Sequence, residues 1–202
     1  MIAIIDYGVG NLFSLVSSLK SIGVDAVVTD DKAVIGAADK LILPGVGAFG
    51  DARKKLSSTG MDAVLLEEAQ KGKPILGICL GMQLLFEKSY EYGTHTGLGL
   101  LSGEVVSMEG VVPAHYKIPH IGWNALQFKK QNPLFRFIED GDFVYFVHSY
   151  YVKNCDDSLL ATTEYGAELT AAVAKDSIYG CQFHPEKSGS VGLNILRGFA
   201  QL

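Results

Sequence analysis

Four short apolar runs set the pattern of the first half of this chain: residues 2–5 (IAII), 24–28 (VDAVV), 40–43 (KLIL) and 74–78 (PILGI). Between them lie segments with helical spacing. Leu12, Leu15, Val16, Leu19 and Ile22 recur at three- and four-residue intervals before Gly23, a residue suited to ending a helix, and residues 50–57 and 61–71 read the same way. Strand and helix in alternation predict an α/β parallel sheet with right-handed crossovers, because parallel neighbours need a long connection to return to the same edge. After Glu91 the texture changes to short strands at 103–109, 123–129, 142–148, 159–165, 170–176 and 177–183, which predicts an antiparallel or mixed extension. A last amphipathic run from Val191 to Phe199 predicts a closing helix. The expected architecture is an α/β fold with a mostly parallel central sheet and an antiparallel extension, formed as one domain over residues 1–202.

Composition narrows the function. A formal net charge of −5, with no basic cluster beyond Arg53-Lys54-Lys55, argues against nucleic acid as a partner, since phosphate binding needs several convergent cations. Neither a positively charged leader nor an apolar run long enough to span a membrane is visible, so a cytoplasmic protein is expected. The three cysteines, Cys79, Cys155 and Cys181, lack framework spacing; each thiol is expected to be free.

Residues 77–87 (GICLGMQLLFE) place Cys79 between two glycines, where the fourth apolar run gives way to a helical pattern expected to continue through Phe86. The carboxyl end of a strand is where open α/β sheets collect ligands, and small flanking residues permit the sharp turn on which a nucleophile stands clear of the backbone. A helix N-terminus following the turn would favour the thiolate. The competing reading is that Cys79 is a small buried apolar residue.

A thiol nucleophile needs a base, and the base an orienting group. His184 in residues 180–189 (GCQFHPEKSG) ends a predicted strand, and Glu186, two residues on, shares its face if the backbone stays extended. A capping turn is the alternative for His-Pro-Glu. Residues 44–49 (PGVGAF), directly after the third strand, can present backbone N–H groups to a developing oxyanion, or can form an ordinary strand-to-helix turn. A zinc site from Cys181 and His184 lacks a second ligand pair. Cys181 is expected in the core, Cys155 in a polar loop, His95 and His115 on surface loops and His120 at a partner-facing surface.

Taken together, residues 45–50 with Pro44 (PGVGAFG), 77–87 and 180–189 resemble the triad, or class I, glutamine amidotransferases over essentially the whole chain, a resemblance that implies a three-layer, flavodoxin-like fold. Residues 117–124 (KIPHIGWN) and 145–150 (YFVHSY) are similar to the branch of that family whose ammonia goes to a cyclase making imidazole glycerol phosphate and an aminoimidazole carboxamide ribotide in histidine biosynthesis. The resemblance implies Cys79 as nucleophile, His184 as base and then acid, and Glu186 as the carboxylate that orients it. It implies Gly45, Val46 and Leu80 in the oxyanion region, and Gln83, Glu91, His148, Ser149 and Tyr150 around the L-glutamine substrate. It further implies Asn11, Trp123, Tyr145 and Lys187 facing a (β/α)₈-barrel cyclase subunit in a heterodimer, with no metal or organic cofactor. A stand-alone cysteine hydrolase would use the same triad without a docking surface, and a binding module would keep the fold without turnover. If the residue 44–47 segment rests with a carbonyl towards the thiol, a peptide flip would gate activity, which glycine makes feasible.

Overall fold

A computed structural model describes residues 1–202. The first half runs β1 (Ile2–Ile5), α1 (Leu12–Ser21), β2 (Ala26–Thr29), α2 (Lys32–Ala37), β3 (Lys40–Leu43), α3 (Phe49–Ser58), α4 (Met61–Gln70), β4 (Ile75–Ile78) and α5 (Leu80–Leu84). The second half is strand-rich: β5 (Phe86–Ser89), β6 (His95–Thr96), β7 (Leu101–Ser107), β8 (His120–Ala125), β9 (Gln127–Phe128), β10 (Phe143–His148), β11 (Tyr150–Lys153), β12 (Leu159–Glu164), β13 (Glu168–Lys175) and β14 (Ile178–Cys181). Helix α6 (Gly189–Ala200) closes the chain.

The main sheet has the order β2-β1-β3-β4-β14-β13-β12-β9. Its first five strands are mutually parallel, and β13, β12 and β9 continue it antiparallel. The late strand β14 thus completes the parallel half, beside β4, and places the end of the chain's last strand next to the end of its fourth. Strand side chains alternate between two cores: Ala3 and Ile5 face α2 to α5, whereas Ile2 and Ile4 face α1 and α6. Helix α1 contributes Leu15 and Leu19 to its layer, and α6 contributes Ile195, Leu196 and Phe199. This is the expected α/β/α sandwich.

Two smaller sheets ride on it, β10-β8 and β11-β7-β5-β6. In the β8/β10 ribbon, Trp123 stands opposite Tyr145 and His120 opposite His148. One face of the ribbon carries Val144, Phe146, His120 and His148 into the interior. The other presents Ile121, Trp123 and Phe143, each more than half exposed at 58%, 51% and 56%.

Several sequence expectations change in detail. Helix α5 stops at Leu84, and Phe86 begins β5. Leu85 and Phe86 are buried there as apolar strand-side residues, which periodicity over so short a run cannot separate from helix. The predicted strand 123–129 is two strands broken at Leu126, and β11 and α2 were not foreseen. Cys155 does sit in a loop but is buried against Thr170. His120 is fully buried in place of surface-exposed, and His95 is half-buried, its ring hydrogen-bonded to the Glu91 carbonyl.

Candidate active site

Cys79 occupies the turn from β4 into α5 with φ 54° and ψ −113°, a left-handed conformation that non-glycine residues adopt at a cost of order 1–3 kcal/mol. The flanking glycines make the turn possible. A Cβ on Gly77 would lie 2.6 Å from Met82 Cα, and one on Gly81 would run into the Leu43 carbonyl oxygen, where the end of β3 crosses the first turn of α5. The cysteine is thereby held beneath the residue 44–47 segment, whose Pro44 carbonyl accepts a hydrogen bond from the Tyr7 hydroxyl at 2.8 Å. Burial, reinforced by the nearby Cys79 sulfur, holds the Tyr7 phenol well above its ordinary range.

Because β14 pairs with β4, Cys181 and Ile78 are in register, and the Cys79 N–H donates to the Cys181 carbonyl at 2.8 Å. His184, three residues beyond Cys181, therefore comes to the same edge as Cys79. Its Nδ1 lies 2.8 Å from Glu186 Oε1, with both side chains almost wholly buried. Burial of the ring opposes its charge, but the Cys79 sulfur and the Glu186 carboxylate together outweigh that and raise His184 from 6.5 to about 9. The backbone route differs from the extended one expected: His184 is extended, but Pro185–Lys187 form a 3₁₀ turn with Pro185 at its start. That turn is fastened to β10. His184 N–H donates to the Tyr145 carbonyl, Tyr145 N–H to Ser188 Oγ, and Ser188 Oγ to the His184 carbonyl.

A pocket of about 360 Å³ opens at this point, lined by Cys79, His184, Gln83, Glu91 and residues 147–150 among others, and by Val46, Gly47 and Leu80 on the side of the residue 44–47 segment. Gly45 lies under it, against Leu80 and Gly81. Gln83 is turned into the protein, its Nε2 donating to the Tyr150 carbonyl at 3.2 Å and to Gln182 Oε1 at 2.9 Å. Glu91 is anchored likewise, Oε2 accepting from the Phe49 N–H at the start of α3, and burial raises its carboxyl above the usual range. His148 donates from Nδ1 to the Tyr150 carbonyl, and its buried ring is depressed to about 3 by desolvation.

Of the residues expected at a partner surface, Trp123, Tyr145 and Lys187 lie together. Trp123 and Tyr145 meet edge to face at 6.0 Å, and the Lys187 ammonium lies 5.9 Å from the Tyr145 ring. Asn11 precedes α1 with no side-chain cap hydrogen bond. Sequence reasoning missed Gln182, Ser188, Tyr7 and the His120–His148 contact. Gln182 could have been found: two residues before His184, it shares that residue's side of the strand end.

A family model described as "Glutamine amidotransferase class-I" matches residues 3–201. The "Imidazole glycerol phosphate synthase subunit HisH" of Caldanaerobacter subterraneus subsp. tengcongensis is 53% identical over 203 residues, covering 100% of this chain and 98% of that protein. The protein of the same name from Aquifex aeolicus is 50% identical over 198 residues, covering 97% of this chain and 94% of its own. Among solved structures, one described as "Crystal structure of glutamine amidotransferase" superposes with TM-score 0.76 at 18% identity, covering all of both chains. "Structure of PurLQS from Thermotoga maritima" gives TM-score 0.74 at 21% identity, over 99% of this chain and 97% of the other. At those identities the structural matches speak for the fold.

Proposed function

The chain belongs to the class-I glutamine amidotransferases, and on that premise we propose that Cys79 is the nucleophile with which it serves as the glutaminase subunit of imidazole glycerol phosphate synthase. It releases ammonia from L-glutamine for histidine biosynthesis. The observation that carries the assignment of the chemistry is the meeting of Cys79, on its strained turn, with the buried His184–Glu186 pair at one pocket.

The thiolate sulfur of Cys79 attacks the side-chain carboxamide carbon of glutamine. The carbonyl oxygen takes the displaced electron pair and is stabilised by N–H groups of the Gly45–Val46 region and of Leu80, a donor of this kind contributing about 3 kcal/mol. Collapse breaks the C–N bond as His184 passes its proton to the nitrogen, and ammonia leaves a γ-glutamyl thioester. Water, deprotonated by His184, then attacks the thioester, and cleavage of the C–S bond returns the thiolate and frees glutamate. Glu186 holds the ring and supports its charge. Gln83, Glu91, His148, Ser149 and Tyr150 bound the space for the amino-acid portion of glutamine, with Gln83 and Glu91 acting from anchored positions. These steps call on no cofactor.

The ammonia passes to a cyclase subunit, for which we assign a (β/α)₈ barrel and one-to-one pairing, docked on the face around Asn11, Trp123, Tyr145 and Lys187. The exposed apolar face of β8/β10 supports this docking, since aromatic residues are enriched at interface centres. Treatment with a glutamine-like electrophile in the presence of the cyclase tests the nucleophile: mass spectrometry should find one adduct, on Cys79, suppressed by glutamine. An adduct on Cys155 or Cys181, or none, would refute it.

A further inference from the structure

Helix α5 has only five residues, so the sulfur beside it gains little from a helix dipole, and the groups that favour a thiolate must be found elsewhere. One lies on β14's extension. Gln182 is completely buried, and its Nε2 sits 3.7 Å from Cys79 Sγ, within the longer reach of a sulfur acceptor. Which end of this amide meets the sulfur follows from its neighbours. The Tyr150 carbonyl can only accept, so the Gln83 atom 3.2 Å from it is the nitrogen. That same nitrogen lies 2.9 Å from Gln182, which must therefore present its oxygen there and its NH₂ to Cys79. Tyr150 O is itself held by His148 Nδ1 at 2.8 Å.

We propose that Gln182 is a further catalytic residue, whose side-chain N–H donates to the nucleophilic sulfur and favours its anionic form, with its amide locked in that sense by Gln83 and the Tyr150 carbonyl. The inference rests on the reading of Cys79 as nucleophile and gives Gln83 a second task beside the substrate. The titratable groups facing the sulfur are His184 and Tyr7, with Cys181 behind it, and all three are unchanged in the variants below. On formation of the thioester the donor stays in place, ready for the thiolate that hydrolysis returns.

Gln182→Met keeps the length without a donor and adds no titratable group, and is the decisive variant; Gln182→Glu keeps the shape and the contact to Gln83 and, once ionised, replaces the donor with an acceptor while adding a carboxylate of its own. A hydrogen bond to a charged acceptor corresponds to roughly tenfold or more in an equilibrium. Iodoacetamide alkylation of Cys79, followed by mass spectrometry across pH, should therefore show both variants alkylated about tenfold more slowly near neutrality, with the rise in rate displaced to higher pH. Their kcat for glutaminase with the cyclase should fall while KM changes little. In the unaltered chain, whose folding is not in question, the Gln182 side-chain amide proton resonance should titrate in step with alkylation. Variants that fold and show the parent's alkylation profile, or an amide resonance indifferent to that titration, would overturn the proposal. Failure of the nucleophile assignment looks different, because the unaltered chain would then leave Cys79 unmodified by the glutamine-like electrophile.

Discussion

At the scale of single residues the site depends on charge. His184 is raised because Cys79 and Glu186 outweigh its desolvation, so Glu186→Gln should move the His184 titration down from about 9, followed by imidazole NMR, and should reduce glutaminase kcat at least tenfold. Stability follows the same shifts with opposite signs. The raised His184 contributes stability that is complete below its unfolded value of 6.5 and is lost as pH rises through about 9. The depressed His148 contributes stability that is complete above 6.5 and is lost as pH falls towards about 3. Urea midpoints measured across pH should thus peak near 6.5 and fall on both sides, and His148→Gln should flatten the acid limb. These shifts were not legible in the sequence, which gives a histidine's neighbours along the chain but not the burial that sets its titration.

Among the elements, the crossing of β3 over α5 is what fixes the turn that carries Cys79. Gly81 has no space for a methyl group against the Leu43 carbonyl, so Gly81→Ala should cost about 2 kcal/mol in chemical denaturation and should reduce labelling of Cys79 in the protein that folds. The GxCxG spacing was readable because glycine at such positions answers a local steric demand. Alternation of strand and helix likewise revealed the parallel half, since each β–α unit carries its own periodicity. What remained hidden depends on long-range pairing. That β14 lies beside β4, bringing His184 to Cys79, is set by register across about a hundred residues of chain. The end of α5 at Leu84 was misread because Leu85 and Phe86 are buried whether helix or strand continues. His120 was placed at the surface by its neighbourhood in KIPHIGWN, yet alternation along β8 sends it inward, where it meets His148 at 3.1 Å, while Ile121 and Trp123 point out.

For the whole molecule, the β8/β10 ribbon separates two environments: its inner face borders the pocket of Cys79 and His184, and its outer face is apolar and open. The chain contains no helix long and apolar enough to cross a membrane. The outer face, with Ile121, Trp123 and Phe143 exposed, is the surface on which we propose that the cyclase docks. Trp123→Ala should weaken cyclase binding at least tenfold in titration calorimetry with the thermal midpoint little changed, because an exposed side chain supports the interface more than the fold. The most direct test of the account is glutamate release from glutamine by the complex with the cyclase subunit, comparing the unaltered chain with Cys79→Ser. The account predicts steady turnover for the former and at least a thousandfold less for the latter, as expected when a nucleophile is removed. Equal release from both complexes would contradict it.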